Sequence, residues 1–270
     1  YRVIRETVDT GEAVRFTDHT TGPLGPALQA SFPEVERAIR VNRAYVPLTY
    51  RDQTFDVRQM WAEDGVLEAF DMPLVQGDPS TAFRQPLSMV ITEDMARLVF
   101  GDANPLGQVV TVGFRKWAGD YTITGVARNP PSTSDLQFQC LTVTVAGYGA
   151  HHRNVAWSNR SGMSLTETFV VLREGQVPDA LTGRLPEVAA QMAGLEGAEV
   201  RAEDIYHLQP LTRIHLFSET DYSIRGSGDI ERVALIGLVA FAVLLIACIN
   251  FVNLSTARSL QRAREVGIRR

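Results

Sequence analysis

The apolar positions of this 270-residue chain follow three rhythms. "YRVIRETV" at the start alternates apolar and polar residues as an extended strand does. In "ASFPEVERAIRV", Ser31 and Glu34 stand at capping-box spacing and Pro33 suits a first helical turn. That predicts a helix, followed by a strand through "VNRAYVPLTY". A second set opens with the β-branched run "TETFVVLRE" and continues as "VPDALTGRLPEVAAQM", a helix bent or broken near Pro186. It returns as "IYHLQPLTRIHL", a strand interrupted at Pro210. Two strand–helix–strand sets predict βαβ-like units in an α+β or α/β layer structure.

Between them, residues 62–150 change rhythm. "SMVITEDMARLVFG" reads as a strand, an N-cap at Thr92, a short helix and a stop at Gly101. "NPLGQVVTVG" and "DYTITGVARN" read as a turn and two strands, and "LQFQCLTVTVAGY" as another strand. This is a mostly-β insert with one short helix. The polar stretch "GAHHRNVAWSNRSGMS" is expected to be a loop leading back to the first unit.

The third rhythm is no rhythm. From Val233 to Ile249 every residue is apolar, Gly237 alone lacking a side chain, and Asn250 to Leu254 extend the run. As a helix this stretch measures about 33 Å, close to the hydrocarbon thickness of a bilayer. Arginines crowd its C-terminal side, whereas "SETDYSIRGSGDIER" before it is net acidic. The positive-inside rule therefore orients residues 1–232 outside the cytoplasm and the C-terminus within it. Gly226, Ser227 and Gly228 just before the run are a candidate hinge. Within the helix Gly237, Ala240, Ala247, Asn250, Asn253 and Ala257 recur every three, four or seven residues. Small residues there admit a second helix closely and the asparagines can hydrogen-bond across the contact, which predicts a multi-helix membrane protein.

The net charge of −5 divides unevenly: residues 255–270 carry +4 and the remainder −9. An acidic body excludes nucleic acid as a partner, because phosphate binding needs a concentrated basic face. Cys140 and Cys248 lie too far apart in character, one in the soluble part and one in the apolar run, for a disulfide or thiolate metal site. No P-loop, HExxH, CxxC or GxSxG string occurs, and "GSGDIE" lacks the third glycine of a dinucleotide fingerprint. His151 and His152 are adjacent, and His207 and His215 share a strand candidate, without the spacing of a known metal site. Trp61, Trp117 and Trp157 read as half-buried packing groups. The chain starts at Tyr1, stops inside a charged motif and is expected to be part of a longer polypeptide.

The segment "CINFVNLSTARSLQRAREVGIRR" resembles the second transmembrane helix and following cytoplasmic segment of MacB/FtsX-like ABC transporter permeases. "SMVITEDMARLVFGDANPLGQVVTV", with its turn from Asp102 to Gly107, is similar to the family's periplasmic core domain. The resemblance implies a periplasmic porter-like βαβ lobe, here residues 1–61 and 151–228, with an inserted mostly-β, Sabre-like lobe at 62–150. A transmembrane helix at 229–257 and a cytoplasmic segment at 258–270 would follow. It further implies a non-catalytic, dimerising permease, paired with a second copy or paralogue and with an ABC ATPase subunit, and served by a periplasmic adaptor protein. The subunit would have no cofactor of its own; ATP-Mg would belong to the ATPase. Arg258, Arg262, Arg264, Glu265 and Gly267 stand where the family's chain runs toward its ATPase-coupling helix. Two other classes share the layout. A signalling receptor would place a sensor domain before one helix, and a membrane-anchored hydrolase would need a nucleophile with an oriented base, which no motif announces.

Overall fold

The computed structural model describes residues 1–8, 14–114, 118–143, 166–193, 205–214 and 230–268. The first strand, β1 (Arg2–Val8), pairs with a short β2 (Val14–Thr17). After β3 (His19–Thr20) comes helix α1 (Leu24–Ser31), then a 16-residue strand β4 (Val35–Tyr50) and its hairpin partner β5 (Gln53–Ala62). Near the other end, β11 (Thr166–Leu172) leads through α4 (Pro178–Thr182) and α5 (Leu185–Ala193) to β12 (Ile205–Gln209).

These elements make an interlocked pair of split βαβ units. The strand order is β12-β1-β11-β4, and every neighbouring pair is antiparallel. Strand β1 is therefore parallel to β4 with β11 between them, and β11 is parallel to β12 with β1 between them. This is the ferredoxin-like arrangement. Leu24, Leu28 and Phe32 around α1, Leu185 and Val188 from α5, and Val3 and Tyr206 from the sheet form a buried core.

The first helix is not where the capping-box spacing puts it. It ends at Ser31, and Phe32 is already extended (ψ 106°), its N–H donating to Leu28 O at 3.0 Å. The cause is Pro33, which forces the residue before it out of the helical region. The chain beyond becomes strand although Val35, Ala38 and Ile39 recur at helical spacing. Residues 38–42 are buried on both faces of the sheet, which removes the period-two signature of a half-exposed strand. The break expected near Pro186 falls at Gly183 and Arg184; Pro186 sits in the first turn of α5, where a missing N–H costs nothing. After Pro210 the chain forms a short 3₁₀ turn, Leu211–Arg213, instead of resuming as strand.

The middle of the chain supplies a one-turn helix α2 (Val66–Ala69), β6 (Leu74–Gln76), β7 (Ser88–Thr92), α3 (Glu93–Phe100), β8 (Val109–Val112), β9 (Gly119–Ala127) and β10 (Cys140–Val143). The Thr92 hydroxyl accepts from Met95 N at 3.4 Å, and Gly101 ends α3 with a positive φ of 61°, both as the sequence predicts. Following the pairings from β4 to β5, β10, β7, β9 and β8 leads back to β4, through Leu48 opposite Val112. The circuit is a closed six-stranded barrel, a solution that removes sheet edges. Leu48, Val57, Met89, Ile91, Val110 and Ile123 fill it, while Met95, Val99 and Phe100 of α3 join the same core. A third core, with Ile39, Met60, Phe138, Leu141 and Phe169, covers the sheet face opposite α1.

Strand β4 thus belongs to both the split βαβ sheet and the barrel, pairing with β11 over residues 35–41 and with β5 over residues 41–50, and residues 1–214 hold together as one unit. The final helix, α6 (Ile230–Ile268), belongs to a separate unit.

Candidate functional site: membrane helix and braced domain

Helix α6 is 39 residues of unbroken α-helix, about 58 Å long. Within Ala234–Ser259 the most apolar 18-residue stretch has a mean hydropathy of 2.8, and none of it is buried. A bare helix of that kind is unstable in water and suited to lipid. The Thr256 hydroxyl donates to Val252 O at 2.9 Å, satisfying one polar group inside the helix itself.

At 100° per residue, Gly237, Ala240 and Ala247 fall within about 80° of one another, and Asn250, Asn253 and Ala257 within about 60°. The second trio is turned away from the first, so the small-and-polar positions follow a winding path along the helix. A Cβ on Gly237 would meet nothing within 4 Å. Arg258 lies in the last turn of the apolar segment, and Arg262, Arg264, Glu265 and Gly267 lie on the helical backbone that continues to Ile268. Gly226, Ser227 and Gly228 lie outside the described residues, as do His151, His152, His215, Trp117 and Trp157.

Three arginines brace the domain, and no sequence motif singles them out. On β1 the Arg2 guanidinium donates to Asp18 Oδ2 at 3.1 Å and to Gln209 Oε1 at 2.9 Å, tying β12 to the β3 approach. On β4, Arg40 donates through Nη2 and Nε to Glu63 at 2.5 and 3.0 Å, and through Nη1 to Gly22 O at 2.5 Å. Its stem lies over Gly25, whose built Cβ would come 3.0 Å from Arg40 Cγ. Arg43, on the opposite face of β4, pairs with Glu167 of β11 and donates to Asp135 O at 2.5 Å. The Arg43 and Glu167 side chains are both nearly buried, so neither charge has water to replace its partner. Arg40 and Arg43 sit where β4 passes from the split βαβ sheet toward the barrel.

Among the described residues no group of three His, Cys, Asp or Glu side chains is arranged to hold a metal. His207 pairs with Glu6 at 2.6 Å on the outer strands. Inside the barrel, burial pushes the Cys140 thiol far above its ordinary range. Burial, then the neighbouring Cys140, raises the Tyr121 phenol to about 12 despite a hydrogen bond with Gln59. Both groups stay protonated and inert at neutral pH.

The fold and the apolar helix meet a known architecture. Residues 2–188 match the MacB-like periplasmic core domain. The chain belongs to that family. It is a MacB/FtsX-like ABC transporter permease chain, carrying a periplasmic domain and one candidate membrane-spanning helix at its C-terminal end. Among solved structures, it is similar to a domain of a protein assigned as a permease from Porphyromonas gingivalis. That likeness has 25% identity and a TM-score of 0.63, over 77% of this chain and 88% of that one. The periplasmic region of MacB from Actinobacillus actinomycetemcomitans shares the fold at 11% identity and a TM-score of 0.50, over 76% of this chain and 87% of that one. No curated protein sequence matches.

Proposed function

We propose that this MacB-like chain is the mechanical part of an ABC transporter. The observation that carries the reading is the continuity of α6, which runs nine residues past its apolar segment without a break. A helix so continuous is stiff, and it can pass rotation or axial shift from one side of a bilayer to the other.

In this reading, an ABC ATPase on the cytoplasmic side binds and hydrolyses ATP-Mg and moves the segment containing Arg258, Arg262, Arg264, Glu265 and Gly267. Helix α6 carries that motion to the periplasmic domain, whose porter-like part (1–61 and 151–228) and Sabre-like insert (62–150) drive efflux or extraction of a substrate. The shared strand β4, braced by Arg40 and Arg43, supports such transfer because a load on one sheet is borne directly by the other. A second permease copy or paralogue packs along the path from Gly237 to Ala257, and a periplasmic adaptor engages the domain. The hinge at Gly226–Gly228 lets the domain tilt on the helix.

The test uses the parent permease with its ATPase partner in membranes. Gln261→Pro interrupts the helix just beyond the bilayer, at a cost of about 3 kcal/mol to local helicity. Assembly and periplasmic folding are expected to persist, while ATP-dependent movement of spin labels on the periplasmic domain is lost. Unchanged label movement would remove α6 from the transmission path.

A further inference from the structure

Beside α3, the barrel carries a cavity of about 480 Å³ that the transport reading does not use. One face of α3 contributes Glu93, Ala96 and Arg97, spaced i, i+3 and i+4. The turn that follows contributes Asp102 and Leu106, and the sheet contributes Val75 and Val126. The turn is held in shape from within: Asn104 Oδ1 accepts from Leu106 N at 3.1 Å, and Gly107 N donates to Ile123 O at 2.8 Å. The cavity is therefore formed before anything enters it.

Its chemistry is specific on three counts. First, β6 is the last strand of its sheet and pairs with β9 alone among the described residues. The strand slips by one residue against β9, Leu74 facing Ala127 and Gln76 facing Val126, so that Leu74 packs on the inner core while Val75, 44% exposed, lines the cavity. The free side of such a strand offers main-chain donors and acceptors to another extended chain. Second, Val75, Ala96 and Leu106 give an apolar floor of side-chain size. Third, the charge is lopsided. Glu93 and Asp102 line the cavity against one cation, Arg97, whose guanidinium is already drawn to Asp94 at 3.4 Å and Glu93 at 4.0 Å. Glu93 is positioned further by Asn129 N, which donates to it at 3.3 Å.

We propose that the cavity and the free edge of β6 form a docking groove for an extended peptide segment of a partner protein, one that carries lysine or arginine beside an apolar residue. The segment adds to β6 as a further strand, sets its apolar side chain on Val75 and Leu106, and brings its cation to Asp102 and Glu93. Edge hydrogen bonds supply affinity, the apolar floor sets the register, and the carboxylates select the charge. The inference stands independently of the transport reading.

The experiment uses the full 270-residue chain in a nonionic detergent and a fluorescein-labelled hexapeptide of alternating lysine and valine, followed by fluorescence anisotropy. Saturable binding is expected. Val75→Ser, which takes two exposed methyl groups from the apolar floor, should weaken binding about threefold. Asp102→Lys should weaken it about threefold. The same hexapeptide with its valine nitrogens methylated cannot pair along the edge and should bind about tenfold less tightly, with the protein unaltered. The proposal is overturned by an absence of saturable binding, by equal binding of the methylated peptide, or by equal binding of a glutamate–valine peptide.

Discussion

At the scale of single residues, the domain depends on a few polar groups that could not be told from surface charge by position in the chain. Arg37, Arg40 and Arg43 are spaced by three, which in a helix would be one face. In strand β4 they alternate faces, and each finds a different carboxylate, Glu68, Glu63 and Glu167. Arg43→Met leaves Glu167 charged and nearly buried, and should cost about 3–5 kcal/mol in denaturant unfolding. Adding Glu167→Met should recover most of that loss, because an apolar pair has no charge to desolvate. Inside the barrel, Tyr121 and Cys140 have folded-state pKa values raised above their unfolded ones. Their contribution to stability is complete below the unfolded values and falls as the unfolded thiol and phenol ionise, from about pH 9 upward. Denaturation midpoints measured from pH 8 to 12 should decline, and Tyr121→Phe should flatten the portion above about pH 10.

At the scale of elements, legibility followed local chemistry. The α3 boundaries were readable because a threonine hydroxyl and a glycine with positive φ determine them within a few residues. Thr92→Ala should cost about 1 kcal/mol, measurable as a lowered thermal midpoint with unchanged far-UV circular dichroism. The first helix was misassigned because Ser31, Pro33 and Glu34 fit a helix start as well as a helix end, and only the extended Phe32 distinguishes the two. Strand β5 carried no flag of its own; it exists because β4 offers ten residues to pair with. For α6, the apolar run alone specified the helix. Gly237→Leu with Ala247→Leu should block close approach of a second helix and reduce assembly in crosslinking or light scattering, while the periplasmic domain keeps its unfolding transition. Wild-type assembly in that variant would reject the packing role.

At the scale of the whole molecule, the described residues form a domain with three cores, followed in the chain by one long apolar helix. Cys140 is buried in the barrel and Cys248 is exposed on the apolar segment, so single cysteines introduced in a Cys248→Ala background report topology cleanly. A membrane-impermeant maleimide should label Asp52→Cys in intact cells with a permeable outer membrane, and label Gln261→Cys only after the inner membrane is opened. The reverse pattern would invert the orientation and with it the transmission reading.

The amino-acid sequence by itself determined the apolar helix, the caps of α3 and most strand-forming runs. These depend on hydration, on backbone sterics and on contacts between near neighbours. Only the tertiary structure decided that β7, β8, β9 and β10 close into a barrel with β4 and β5, that β4 serves two sheets, and that Arg2, Arg40 and Arg43 are internal braces. Those outcomes rest on pairings between residues far apart in the chain, such as Leu48 with Val112 and Arg2 with Gln209, and no local pattern encodes which distant strand will arrive.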